Sequence, residues 1–199
     1  MESGVVGEPG LETPLKAKST LDSIAEEVSV CQRCPLAGSR TRAVPGEGPG
    51  NARIMLVGEA PGHDEDISGR PFIGRGGKLL SEALEAVGSS RKEAFITNVV
   101  KCRPPRNRVP LELERETCVG AHLNREMEAV GPNVVVLLGR TASASILGVN
   151  TLKETRGKLV HRGGRTYLAT YHPAAILRNP RLKGTFQKDL RAALAASRQ

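Results

Sequence analysis

The spacing of apolar and polar positions divides the chain into alternating short strands and helices. Leu21, Ile24, Ala25 and Val28 recur at helical spacing after Thr20, a residue suited to an N-cap, and predict a helix that runs into Cys31. Three apolar runs, Arg53–Gly58, Ala94–Val100 and Asn133–Gly139, read as buried parallel strands. Leu79, Leu80, Ala83, Leu84 and Val87 mark a second helix over 77–87, with Gly88 where a C-terminal cap belongs. A charged helix is expected from Pro110 to about Val130, closed by Gly131. A short helix over 141–148, a hairpin over 158–170 turning at Gly163–Gly164, and a final helix over roughly Leu182–Ala196 complete the pattern. The segments CPLAGSRTRAVPGEGPGNA, GEAPGHDEDISGRPFIGRGG and YHPAAILRNP read as loops dense in Gly and Pro. Residues 1–19, rich in Gly, Pro, Glu and Ser without periodicity, read as a flexible N-terminal tail, which leaves 20–199 as a single domain.

Strands alternating with helices predict an α/β domain with a mostly parallel sheet between helices. Ligands of such folds bind at the carboxyl ends of the strands. GEAPGHDED, KCRPPRNR and YHPAA each follow a strand directly, so three residue-rich loops are expected to meet at one edge of the sheet. The 199 residues suit one sizeable core, and the 39% hydrophobic and 25% charged fractions are ordinary for a globular protein. No apolar run reaches the roughly 18 residues of a membrane span, and the start lacks the basic-then-apolar pattern of a secretory signal, so a cytoplasmic location is expected.

Charge changes the picture more than composition does. Residues 140–199 carry 12 Lys and Arg against only Glu154 and Asp189, whereas residues 1–139 carry 17 against 19 acids. A basic carboxyl-terminal part is the footprint of a phosphate-binding surface, or of a merely solvated one. Four cysteines occur, Cys31 and Cys34 as a CxxC, then Cys102 after a strand and Cys118 on the following helix. In a reducing compartment structural disulfides are not expected. Four thiolates can close one zinc site or one iron–sulfur cluster; a zinc ribbon would normally show two close pairs, and on the residues alone both remain open.

GEAPG with HDED and ISGRPFIG, then ITNVVKCRPPRNR, then TYHPAAILRNP, taken in this order with the four cysteines, resemble the family 4 uracil-DNA glycosylases, the iron–sulfur branch of the uracil-DNA glycosylase superfamily. The likeness runs from about Ile24 to Leu190. It implies a three-layer α/β/α sandwich around a central, mostly parallel four-stranded sheet. It implies a [4Fe–4S] cluster on Cys31, Cys34, Cys102 and Cys118, in a structural role. It also implies a monomer acting on uracil-containing DNA, single- or double-stranded, as a monofunctional glycosylase of base excision repair.

An extracted base needs a flat face, an amide and a donor near its oxygens. The resemblance makes Phe72 the ring that stacks on uracil; otherwise it anchors its loop. Asn98 can accept from uracil N3–H and donate to O4, where cytosine offers the reverse pattern; otherwise it caps a turn. His172 is expected to donate to uracil O2 as charge moves onto the ring. Gly58, Glu59 and Ala60 complete the implied base pocket. A carboxylate that positions water is expected from Glu59 or Glu65, because Ala60 stands where family 1 enzymes have Asp. Gly62 stands where family 1 has the Tyr that excludes thymine. Lys101, Arg103, Arg106, Arg108 and Arg178, with Arg181, are expected to hold phosphates. Ile176 and Leu177 are expected as an apolar wedge, or as ordinary helix packing.

Two other classes compete. A covalent uracil-DNA binder on the same scaffold would carry GEQPG and a His-ended basic loop, where this chain has GEAPG and KCRPPRNR. A metal-dependent hydrolase would place acids and histidines at close ligand spacing such as HxxxH, which is not found here.

Overall fold

A computed structural model describes residues 20–149 and 151–199. The tail expected over 1–19 lies outside the described residues. The chain runs α1 (Thr20–Val30), β1 (Ile54–Gly58), α2 (His63–Ser68), α3 (Arg75–Glu85), β2 (Ala94–Asn98), α4 (Glu112–Cys118), a π-helical turn (Val119–Leu123), and α5 (Asn124–Val130). It continues through β3 (Val134–Leu138), α6 (Arg140–Leu147), α7 (Leu152–Thr155), β4 (Leu159–Arg162), β5 (Arg165–Thr170), α8 (Pro173–Arg178) and α9 (Lys183–Ser197).

The strands form one sheet in the order β2-β1-β3-β5-β4. The first four are parallel, as the apolar runs predict, and β4 adds an antiparallel edge through the expected hairpin. The sheet therefore has five strands rather than four. Gly163 and Gly164, with φ of 57° and 73°, supply the left-handed pair that a tight hairpin of this hand requires.

β1, β2 and β3 are buried at every residue, and alternate side chains serve opposite layers. Met55, Val57, Phe95, Val135 and Leu137 pack with Ile24 and Val28 of α1 and with Leu123, Met127 and Val130. Ile54, Leu56, Ile96, Val134, Val136 and Leu138 face Leu80 and Leu84 of α3 and Phe186 and Leu190 of α9. This is the three-layer α/β/α arrangement.

Three elements differ from the sequence reading. Residues 63–68 form α2 inside the expected loop: Glu65 caps the N-terminus by accepting from the Gly62 N–H, and Gly69 closes the helix at φ 76°. Residues 173–178 form α8 rather than a loop, started by Pro173 in the first turn. The long helix that ends at Gly131 holds a π-helical turn over Val119–Leu123, directly after Cys118. Among the described residues no helix is long and apolar enough to cross a membrane.

Candidate active site

The sheet order reverses between β1 and β3, and the loops that leave the parallel strands open a cleft of about 660 Å³ there. β1 supplies Glu59 and Ala60, β2 supplies Asn98, β5 supplies His172, and Phe72 enters from the loop before α3. The three expected loops do meet. A fourth, after β3, adds Gly139, Arg140 and Thr141, which carried no signal in the sequence.

Asn98 ends β2 with 1% of its surface exposed. Its backbone carbonyl accepts from Lys101 Nζ at 2.8 Å, but its side-chain Oδ1 is buried without a hydrogen-bond partner among the described residues. A buried acceptor left unmade costs about 1–3 kcal/mol, so a protein keeps one chiefly where a ligand completes it. Gly58 lies beneath: a Cβ there would stand 2.4 Å from both Asn98 Oδ1 and Phe72 Cζ. Glycine at the end of β1 is thus the condition for the amide and the ring to share one pocket.

Phe72 is held in a left-handed backbone conformation, φ 52°, which is strained for an aromatic residue. Arg91 fixes it by donating to the carbonyls of Pro71 and Phe72 at 2.9 and 2.7 Å. Gly77 admits it, since a Cβ there would lie 1.8 Å from the Phe72 carbonyl oxygen. The Phe72 ring stands 5.8 Å from the His172 ring, tilted by 37°.

His172 precedes α8 and accepts the Ala174 N–H on Nδ1 at 3.1 Å. That bond places the ring proton on Nε2, leaving one N–H donor for the cleft. Burial, helped by the nearby Arg178 charge, lowers its pKa to about 4, so the ring is neutral at pH 7. Unfolded, the same group titrates near 6.5. The unfolded chain therefore binds more protons between pH 6.5 and 4, and the stability this group contributes is complete above pH 6.5 and lost as pH falls towards 4. With solvent screening, about 2–3 kcal/mol of stability is expected to disappear across that window. Urea titrations of wild type and His172→Gln at pH 7 and pH 4.5 check this, the variant showing the smaller fall.

The two candidate acids separate. Glu59 lines the cleft and accepts a hydrogen bond from Thr141 Oγ1. Glu65 takes the backbone N–H groups of Gly62, Ile73 and Gly74 at 3.0, 3.0 and 2.9 Å. Glu65 also lines the cleft, but its oxygens already tie α2 to the Phe72 loop, which gives it a positioning role there.

The DNA-facing residues also divide. Lys101 is corrected outright. It is 1% exposed, and its ammonium donates to Glu126 and Thr97 at 2.6 Å each besides the Asn98 carbonyl. All three of its protons are used inside the core. Ile176 is corrected as well: it is 1% exposed and packs in the α3/α9 layer, whereas Leu177 beside it is 38% exposed. Arg108 forms a two-pronged pair with Glu114 at 2.7–2.8 Å, and Arg103 donates to Asn107 Oδ1 and meets His63 Nδ1. Both brace the loop in which Arg106 and Asn107 hold φ of 54° and 55°. Arg106 and Arg181 stand exposed. Arg75, Arg140 and Arg178 are exposed at the cleft with no ion-pair partner among the described residues, and the first two were not anticipated from the sequence.

Cys31, Cys34, Cys102 and Cys118 all line one small apolar cavity between α1 and the α4 helix. All four thiols are free. Arg40 donates to Cys102 Sγ at 3.1 Å and to the Cys31 carbonyl at 2.7 Å, and the Lys101 N–H reaches Cys118 Sγ at 3.4 Å. Burial raises the Cys102 thiol and pushes Cys118 up to about 12. Among the described residues no three His, Cys, Asp or Glu groups converge closely enough to hold a single metal ion.

A family model described as the Uracil DNA glycosylase superfamily matches residues 45–195, and the chain belongs to that family. Its sequence is 44% identical over 181 residues to the type-4 uracil-DNA glycosylase of Archaeoglobus fulgidus, covering 86% of this chain and 90% of that protein. The type-4 enzyme of Saccharolobus solfataricus is 43% identical over 86% of this chain and 83% of its own length, and that of Thermotoga maritima 42% over 80% and 84%. The crystal structure of wild-type Pedobacter heparinus SMUG2 superposes with a TM-score of 0.51 at 16% identity, over 73% of this chain and 76% of that one, which establishes a shared fold.

Proposed function

We propose that this protein is a monofunctional uracil-DNA glycosylase of base excision repair, acting as a cytoplasmic monomer on uracil-containing DNA. The observation that carries the reading is the orphaned Asn98 Oδ1 at the floor of the cleft, opposite a neutral histidine donor. Uracil N3–H supplies the proton that Oδ1 lacks, and the Asn98 NH₂ donates to O4. Cytosine, with an acceptor at N3 and an amino group at C4, leaves both groups mispaired.

The bond between N1 and the deoxyribose breaks with its electron pair moving onto the uracil ring. The negative charge that develops at O2 faces the His172 Nε2–H, which is already oriented by its Nδ1 bond and needs no reorganisation. Phe72 covers the base face, and its strained, braced loop keeps that face in place before substrate arrives. The electron-poor sugar carbon then takes the oxygen of a water, and the proton that water releases balances the charge on the departing uracil anion. Glu59, held by the Thr141 hydroxyl, is the carboxylate placed to orient that water and offset the sugar's positive charge. The products are free uracil and an abasic site.

For DNA, Arg75, Arg140 and Arg178 lie where phosphates flanking an extracted nucleotide would pass, and Leu177 is the exposed apolar tip beside them. Arg178→Ala is expected to weaken binding to any DNA sequence and to reduce the slope of log affinity against log salt by about one. Fluorescence anisotropy at several salt concentrations measures it.

The cysteines support a [4Fe–4S] cluster. Four cysteines from three segments lining one cavity fit the donor set of such a cluster, and a CxxC with two separate partners is unlike the two close pairs of a zinc ribbon. Cys31, Cys34, Cys102 and Cys118 would hold it, joining α1, the β2 exit and α4. Its contribution at this position is cohesion of these three segments, remote from the reacting bond.

The test is base release from labelled oligonucleotides carrying U opposite G, U opposite A, or single-stranded U, with EDTA present and abasic sites broken by alkali. Cleavage confined to uracil and indifferent to EDTA is expected. A protein–DNA adduct that survives denaturant, without strand breaks, would mean covalent binding instead.

A further inference from the structure

One buried group is used by neither the base pocket nor the sheet. His122 lies in the π-helical turn, 2% exposed, and neither ring nitrogen has a hydrogen-bond partner among the described residues. An imidazole carries at least one N–H in either protonation state, so this is a buried donor without an acceptor. Such groups are rare in native structures and call for an explanation.

The ring's surroundings point to one. His122 lines the same small apolar cavity as Cys31, Cys34, Cys102 and Cys118, together with Lys101 and Arg40. The π-helical turn begins directly after Cys118, and a widened turn keeps positions 118 and 122 on one side of the helix. Two donors already address sulfur there, the Lys101 N–H on Cys118 and Arg40 on Cys102. Among the acceptors that line this cavity are the four cysteine sulfurs, which become strong acceptors when charged.

We infer that His122 is a positioning residue of the cluster, donating a ring N–H to one of its sulfur atoms and thereby setting the strength of the iron–sulfur bonds and the reduction potential. This rests on the reading of the four cysteines as cluster ligands. A donor to sulfur stabilises the more negative, reduced state, so its removal lowers the potential. The role is distinct from filling space, because a leucine or phenylalanine fills space without donating.

The purified iron-loaded protein is compared with His122→Leu and His122→Gln at matched iron content. Resonance Raman spectra in H₂O and D₂O report the iron–sulfur stretches, and protein-film voltammetry reports the one-electron potential. The expected result is stronger iron–sulfur stretches, a smaller D₂O shift and a lower potential in His122→Leu, with His122→Gln returning towards wild type. Identical spectra and potentials in all three proteins would overturn the inference. Should the variants load no iron, the wild type alone decides through ¹⁵N-histidine NMR. One slowly exchanging ring N–H assigned to His122 supports the bond, and rapid exchange with water refutes it. A wild type purified without iron or sulfide would refute the cluster reading itself, a different result from iron-loaded proteins that do not differ.

Discussion

Asn98→Ala is expected to lower kcat/KM on uracil-containing DNA by about 10²–10³-fold while leaving the folded protein as stable as wild type or more so. The two effects separate because they come from different partners. In the free protein the Asn98 side chain contributes an acceptor with no bond, so its removal relieves a desolvated group. The backbone carbonyl that receives Lys101 is untouched. In the proposed complex the same side chain would make two hydrogen bonds to the base edge, together about 3–4 kcal/mol of recognition at 1.4 kcal/mol per tenfold. Single-turnover cleavage paired with urea denaturation measures both quantities. A variant that loses stability in proportion to its activity would mean that Asn98 is a structural residue after all.

Lys101→Met should have the largest effect on stability, a loss of about 3–5 kcal/mol, with the salt dependence of DNA binding unchanged. The Lys101–Glu126 pair is nearly sealed, at 1% and 2% side-chain exposure and 2.6 Å separation. Glu126 also receives the Gly46 N–H and the Thr97 hydroxyl. Removing the ammonium leaves a buried carboxylate facing two neutral donors, which do not replace its charge. Lys101→Met combined with Glu126→Leu should recover part of the loss, since a well-packed apolar pair avoids both desolvation costs. Denaturant midpoints give the stabilities, and anisotropy across salt concentrations gives the phosphate count. A drop in the salt slope by one with little change in midpoint would return Lys101 to the DNA surface.

The contrast between Lys101 and its neighbours shows where sequence patterns stop. The strands were legible because five-residue runs such as Ile54–Gly58 and Val134–Leu138 are buried on both faces and carry no polar residue. The meeting of Asn98, Phe72 and His172 at one cleft was legible chiefly through the resemblance of their motifs, and their places at strand ends or in a loop between strands agree with where an α/β sheet collects ligands. The charge of a loop was not. Lys101 reads like Arg103 and Arg106, yet it lies three residues past Asn98 and turns inward to a carboxylate 25 positions away. Arg108 likewise meets Glu114 only because the loop folds back on α4. α2 escaped because its stability comes from Glu65 capping and bracing rather than from an apolar stripe. α8 left one readable mark, Pro173 at its first turn, which the Gly- and Pro-rich surroundings masked. Thr141 could not be found from sequence, since its role is a hydroxyl on the start of α6 meeting Glu59 at the exit of the neighbouring strand β1.

The most direct test of the account is a comparison of three bases in otherwise identical single-stranded oligonucleotides: uracil, N3-methyluracil and cytosine. N3-methyluracil keeps O2, O4 and the glycosidic bond but has no N3–H for Asn98 Oδ1. The account predicts rapid release of uracil and no detectable release of the other two. Release of N3-methyluracil at the rate of uracil would contradict it, because the orphaned amide would then not be what reads the base.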